Sequence, residues 1–261
     1  MAAADGDVVI NCPLNKTIIN KADQGDHQMR KYILTSLLTV LLVGMSACTD
    51  EGGKQEVRAM AGRAPELIRG LYTFGHEVRA LRPCGEDEAL WVIDKTKMLG
   101  QLYGKLDEAG QGGVQIFVIF NGNIGPAPAD GFGAEYAGSV TVEEILYAAY
   151  EGHRCDFDLA GFVYRASGNE PFWLVEVLSD RMRLIRPGFP DLVWPGLTME
   201  TTGNGVVWRG SGGEFPAALT IGPGPAYDSM SGAYFHQKAS FDLDGQIFKG
   251  SAMRGLASPE S

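Results

Sequence analysis

Histidine and cysteine are both scarce in this 261-residue chain, which has four of each. His76, His153 and His236 stand isolated, and no Cys-x-x-Cys pair occurs, so the spacings that hold zinc or run thiol exchange are missing. There is no Gly-x-Ser-x-Gly elbow, and Gly210-Ser211-Gly212-Gly213 reads as a turn rather than a nucleophile loop. Carboxylates are plentiful but scattered, and no acid/base pair stands out among them. The sequence therefore nominates no catalytic residue, no metal ligand and no cofactor. Basic residues are also outnumbered: 22 Lys and Arg face 32 Asp and Glu, a formal net charge of -10. No Lys/Arg cluster interrupts this acidity, and a phosphate backbone would be repelled, which excludes nucleic acid as a partner. Anionic lipid headgroups are disfavoured by the same argument.

What the chain does have is 35 Gly and 13 Pro among 45% hydrophobic and 21% charged residues. That balance suits a turn-rich, mainly β protein better than a helical bundle or a disordered chain. The length allows one large domain or two ordinary ones.

The strongest local signal lies at residues 29–48. Arg30 and Lys31 precede an apolar run over residues 32–47 that ends in small residues before Cys48. Cations, apolar core and small residues in this order form a secretory signal, and the run falls short of the ~20 residues of a spanning helix. Val43-Gly44-Met45-Ser46-Ala47-Cys48 resembles the lipobox of bacterial lipoproteins, with Met45 where that family usually has Leu. The resemblance implies that Cys48 becomes an acylated N-terminus. Thr49, in place of Asp, implies the periplasmic face of the outer membrane. Residues 1–28 put Asp5, Asp7, Asp23 and Asp26 ahead of the basic pair, so they read as an upstream extension with translation expected to start at Met29. Setting aside Cys12 and Cys48 leaves Cys84 and Cys155, an even pair that export would expose to oxidation. A disulfide between them is expected, with two buried thiols as the alternative.

Residues 48–69 read as a tether, Gly- and charge-rich at first and mildly helical over 57–68. A β domain is expected over 70–155. Strand patterns occur at 77–81, 89–93 and 114–120, and again from Ser139. Residues 95–109 form one helix, with Leu99, Leu102, Tyr103 and Leu106 on a single face. Residues 121–133 read as a loop, and 143–150 as either more strand or a brief coil. Strands, one helix, then strands is the order of an OB-like five-stranded barrel. Arg82-Pro83-Cys84-Gly85 followed by Leu90-Trp91-Val92 resembles the OB-like domain of envelope lipoproteins that sense copper and adhesion. A second small antiparallel β barrel or meander is expected over 160–255. Hairpins are signalled there by Ser179-Asp180, Asn204-Gly205 and Asp244-Gly245, loops at 187–195 and 210–213, and a frayed tail from residue 256.

Ser167-Gly168-Asn169-Glu170-Pro171-Phe172-Trp173, with the strings at 228–232 and 244–250, resembles a family of bacterial envelope proteins built on a Gly-Asn-Glu-Pro-Phe-Trp motif. That family commonly has Cys near Tyr227 and at Ser251, where this chain has none. The motif reads first as structure, a tight turn followed by a large buried indole, and second as a ligand patch of Asn169, Glu170 and Trp173. The functional expectation is a lipid-anchored binding, sensing or structural module, not an enzyme, that meets the membrane through its lipid and an envelope protein or small molecule through its body. The alternative is an envelope hydrolase whose site gathers from separate strands.

The lipobox reading predicts that Cys48→Ala protein leaves the membrane fraction while its β body stays folded, because the acyl chains supply the anchor. Mutant protein that still fractionated with the outer membrane, lacking only the lipid mass, would refute it.

Overall fold

The computed structural model describes residues 64–107, 110 and 112–258. The signal helix and Cys48 lie outside them. The first barrel is built from β1 (Glu66–Phe74), β2 (Arg79–Pro83), β3 (Leu90–Asp94), β4 (Ile116–Gly125) and β5 (Ser139–Ala149), with helix α1 (Leu99–Leu106) between β3 and β4. β1 pairs antiparallel with β2 and β4, β2 with β3, and β4 with β5, and a parallel β3–β5 ladder closes the ring. This is the expected OB-like barrel of five strands and one helix. β1 begins at Glu66, inside the stretch expected as tether, so residues 66–68 are strand rather than helix.

α1 forms because its four apolar positions fall at i, i+3, i+4 and i+7, and all four are buried in the barrel core. It is shorter than the pattern suggested. Asp94 accepts N–H bonds from Thr96 at 2.9 Å and Leu99 at 2.9 Å, and Lys97 adopts φ 60°, so residues 95–98 form a turn that delays the first helical residue. Past the helix, the Tyr103 hydroxyl donates to the Val114 carbonyl at 2.9 Å and ties the return loop down.

β4 is buried on both faces, which explains its unbroken apolar run. Ile116, Val118 and Phe120 enter the barrel, whereas Phe117 and Ile119 enter a separate apolar cluster outside it. β4 also runs on to Gly125, through residues expected as loop. β5 is one continuous strand, but its ladder with β4 slips twice, so that Glu143 and Leu146 each bulge. Each bulge shifts the inward parity by one, and the core positions run Val142, Ile145, Ala148 rather than in steps of two.

The second body is an antiparallel meander. Its strands are β6 (Tyr164–Asn169), β7 (Phe172–Val177), β8 (Met182–Ile185), β9 (Leu192–Trp194), β10 (Gly196–Thr202), β11 (Gly205–Ser211), β12 (Ala217–Tyr227), β13 (Tyr234–Leu243) and β14 (Gln246–Arg254). β14 pairs back onto β6, with Ser251 opposite Ser167, which curls the meander into a barrel left open between β9 and β10. Asp244 at φ 52° and Gly245 at φ 84° make the β13–β14 turn that the dipeptide implied. Two expected loops carry strand: β9 lies within 187–195, and β11 runs to Ser211. Between β9 and β10 the chain turns at Pro195 and no ladder joins them. Trp194 fills that corner, its indole N–H donating to the Phe215 carbonyl at 2.6 Å. Gly210 is required there, since a Cβ on it would sit 2.5 Å from Trp194 Cγ.

The barrels are joined rather than strung on a linker. Tyr234 and Phe235 at the start of β13 pair with Ala148 and Tyr147 of β5, carrying one sheet across both bodies. Beneath that pairing, Phe117, Ile119, Tyr147, Leu159, Phe162 and Met253 form a shared apolar core. The connecting residues 150–162 are pinned over it. Cys155 is disulfide-bonded to Cys84, Arg69 donates to the Phe157 carbonyl at 2.7 Å, and the His153 ring stacks on Phe157 at 3.6 Å. The expected tail is also held, with Leu256 N–H bonded to the Leu159 carbonyl at 2.7 Å.

The disulfide closes a loop with a sequence separation of 71, worth roughly 4 kcal/mol in the chain-entropy model. Replacing both cysteines by serine is expected to lower the free energy of urea unfolding by about that much; a change under roughly 1 kcal/mol would show that the shared core alone fixes residues 150–162.

Candidate functional site

The Gly-Asn-Glu-Pro-Phe-Trp string forms the β6–β7 hairpin, and its residues separate. Trp173 points inward and is 1% exposed, its ring near-parallel to Phe241 with centroids 5.8 Å apart. Gly168 lies directly over it, and a Cβ there would meet the indole Nε1 at 2.5 Å. Asn169 sits at the rim, where its amide donates to Asp228 Oδ2 at 2.9 Å and Ser229 Oγ at 3.1 Å. Asp228 Oδ1 in turn accepts the backbone N–H groups of Met230 and Ser231. Burial would raise the Asp228 pKa, but the bonds from Ser231, Asn169 and Met230 outweigh it and hold the carboxyl below its ordinary value. Glu170 is exposed in the turn. The structure therefore brings together the 167–173 and 228–232 strings, while a ligand on the rim would meet Asn169 and Glu170 without the Trp173 ring.

A second polar group was not legible in the sequence. Glu176 is 4% exposed on the outer face of β7, between Arg165 of β6 and Arg183 of β8, and both guanidiniums bond to it. Burial pushes its pKa up, and the bonds from Arg183 and Arg165 more than reverse this. With both oxygens engaged, Glu176 is a satisfied structural anion rather than a proton-transfer group. Arg165 also lies over the Phe157 and Phe162 rings at 5.2 and 4.8 Å, linking this ladder to the pinned connector.

A concave site lies at the seam. β13 pairs with β5 at Tyr234 and Phe235 but with β14 from Gln237 onward, so β5 and β14 part company at His236. The fork opens a cleft of about 460 Å³ lined by Leu67, Ile119, Leu146 and Met253 together with Asn121, Glu144, His236 and Gln237. Asn121 and Glu144 are cross-strand partners on β4 and β5. The Asn121 amide donates to Glu144 Oε2 at 2.8 Å, and His236 Nε2 lies 3.1 Å from Glu144 Oε1. The paired bulges at Glu143 and Leu146 keep the Glu144 side chain outside the barrel, facing this cleft. Of the other histidines, His76 is 96% exposed and His153 is committed to its Phe157 stack. Among the described residues no group of three or more His, Cys, Asp or Glu is placed to hold a metal, and no helix is long and apolar enough to cross a membrane. Comparison of the chain with family models, curated proteins and solved structures gave no match.

Trp173→Ala should cost about 3–5 kcal/mol of stability, as for a large aromatic lost from a packed core, against roughly 1 kcal/mol for Asn169→Ala. Asp228 adds an acid limb. Its folded pKa is depressed, so its contribution is present above the unfolded carboxylate value of ~3.9 and is lost as the pH falls through the folded value. Asp228→Asn should flatten the pH dependence of unfolding in that window, and an unchanged slope would remove Asp228 from the account.

Proposed function

We propose that this chain is an exported, lipid-anchored envelope protein whose double-barrel body binds a small ligand in the seam cleft. The observation that carries the reading is the cleft itself: its polar groups come from three different strands, with the Asn121 amide hydrogen-bonded to Glu144 and the His236 ring 3.1 Å from the other Glu144 oxygen. Export is supported by the Cys84–Cys155 disulfide, a bond typical of oxidising compartments. Anchoring on Cys48, and placement at the periplasmic face of the outer membrane, rest on the lipobox-like segment and on Thr49. The body's role is binding, with sensing or a structural part as what binding would serve.

The Glu144–His236 pair favours a second reading, hydrolysis, because a carboxylate on one imidazole nitrogen leaves the other free to act as a base. Among the described residues no Ser, Thr or Cys side chain is hydrogen-bonded to His236, so this chemistry would need water as its nucleophile.

Titration of the 15N-labelled full-length protein with a small-molecule library should give saturable shifts at the amides of Asn121, Glu144, His236 and Met253, and Gln237→Trp should abolish them by filling the cleft. Shifts that never cluster there would sink the binding reading; turnover of an ester or amide that His236→Gln eliminates would replace it with the hydrolase.

A further inference from the structure

The second body has a strand edge that is long and bare. β10 pairs with β11 alone among the described residues, so one side of its backbone has no ladder partner along 7 residues. Residues 198–202 are all exposed. Across the β10–β11 ladder, Leu197, Met199 and Thr201 stand opposite Gly210, Trp208 and Val206 and share their face, the one that Trp208 packs into the core. Met199 is nevertheless 53% exposed, with no strand paired beyond it among the described residues.

Proteins guard free edges with charge, proline, bulges or brevity, because unpaired N–H and C=O groups recruit other chains. Three other free edges in this body carry such guards. β9 has 3 residues and is followed by Pro195. β12 has no β11 partner beyond Ile221, but it holds Pro223, Pro225 and a register shift there. β14 has no β6 partner before Ser251, but it holds Lys249. β10 has no Lys, Arg or Pro and no register shift, and its single charge is Glu200.

We propose that this edge pairs with the β10 edge of a second copy of the chain, making a two-fold dimer with one sheet running through both. Self-complementarity selects this occupant. A two-fold axis perpendicular to the sheet at Met199 brings the whole of β10 into antiparallel register, with Gly196 opposite the partner's Thr202 and Thr198 opposite the partner's Glu200. Moving the axis to Thr198 or Glu200 shortens the ladder, and at Glu200 it also sets carboxylate against carboxylate. The register at Met199 instead gives each Glu200 a hydroxyl neighbour. The same axis keeps like faces together, because side chains alternate with period two and a perpendicular two-fold preserves the side they point to. Leu197 and Met199 of both copies then lie on one side of the joined sheet, and the apolar face that one copy leaves open is continued by the other. The formal net charge of -10 opposes self-association in general, but β10 contributes a single carboxylate to it, which this register sets against a threonine. An edge pairing of this length is a small interface, so the dimer is expected to be micromolar rather than permanent.

The test is oxidative cross-linking of the full-length protein in detergent micelles kept in excess over the chain. Met199→Cys should give a covalent dimer of twice the chain mass above the wild-type background, because the register sets the two positions side by side. Thr202→Cys, whose two copies would stand at opposite ends of the ladder, should give at least about tenfold less. Met199→Lys, checked for an unchanged melting temperature, should sediment as a monomer at about 100 µM where the wild type is dimeric, and mixing it with Met199→Glu should restore the dimer. Equal cross-linking at 199 and 202, or wild-type protein that is monomeric at that concentration, would overturn the pairing. A dimer that Met199→Lys left intact would do so too, since the contact would then lie on another face. Cross-linking of Met199→Cys in native membranes to a protein of different mass would assign the edge to another occupant and refute the second copy.

Discussion

The structure depends on a strand that is buried twice. β4 sends Ile116, Val118 and Phe120 into the first barrel and Phe117 and Ile119 into the core it shares with the second. An OB-like barrel standing alone would show water the outer face of this strand. Here that face is the floor on which the second barrel stands, and removing it from water supplies the non-directional attraction that makes two bodies one. The disulfide, the Arg69 bond to the connector and the His153 stack act on top of it by fixing direction: they hold residues 150–162 in one path so that β13 arrives beside β5 in register.

Legibility in the sequence followed how local each signal was. The α1 face and the Asp244-Gly245 turn are set within a few residues, and both could be read directly. The strand character of 143–149 could not, because the two bulges break period two, and a stretch whose inward positions fall three apart imitates a helix as well as a strand. The ends of elements were hidden by chemistry from elsewhere, as with the Asp94 turn that shortens α1 and the ladder with β5 that carries β4 through a glycine-rich stretch.

The candidate site was less legible than the fold. Asn121, Glu144 and His236 lie on three strands and meet only because β13 changes partner, a fact of pairing that no single segment encodes. His236 looked isolated for that reason. The Gly-Asn-Glu-Pro-Phe-Trp string was conspicuous because so much of it is demanded by packing: Gly168 makes room for Trp173, and Asn169 reaches across to the 228–232 loop. The conspicuous residues thus build the barrel, while residues of ordinary composition make the cleft. Buried Glu176 belongs with the former, a fully paired anion between two arginines on neighbouring strands.

Leu67 near the start of β1 and residues 256–258 after β14 border the same cleft, so the folded body receives and releases its chain at one place. Topologically it is a closed loop with a narrow neck. Such a body can be spliced into another protein's surface turn without stretching its host, and its two ends can be joined by a short bridge and reopened elsewhere. The ladder-free corner at Pro195 is the natural place to reopen it, because a cut there severs no strand pairing.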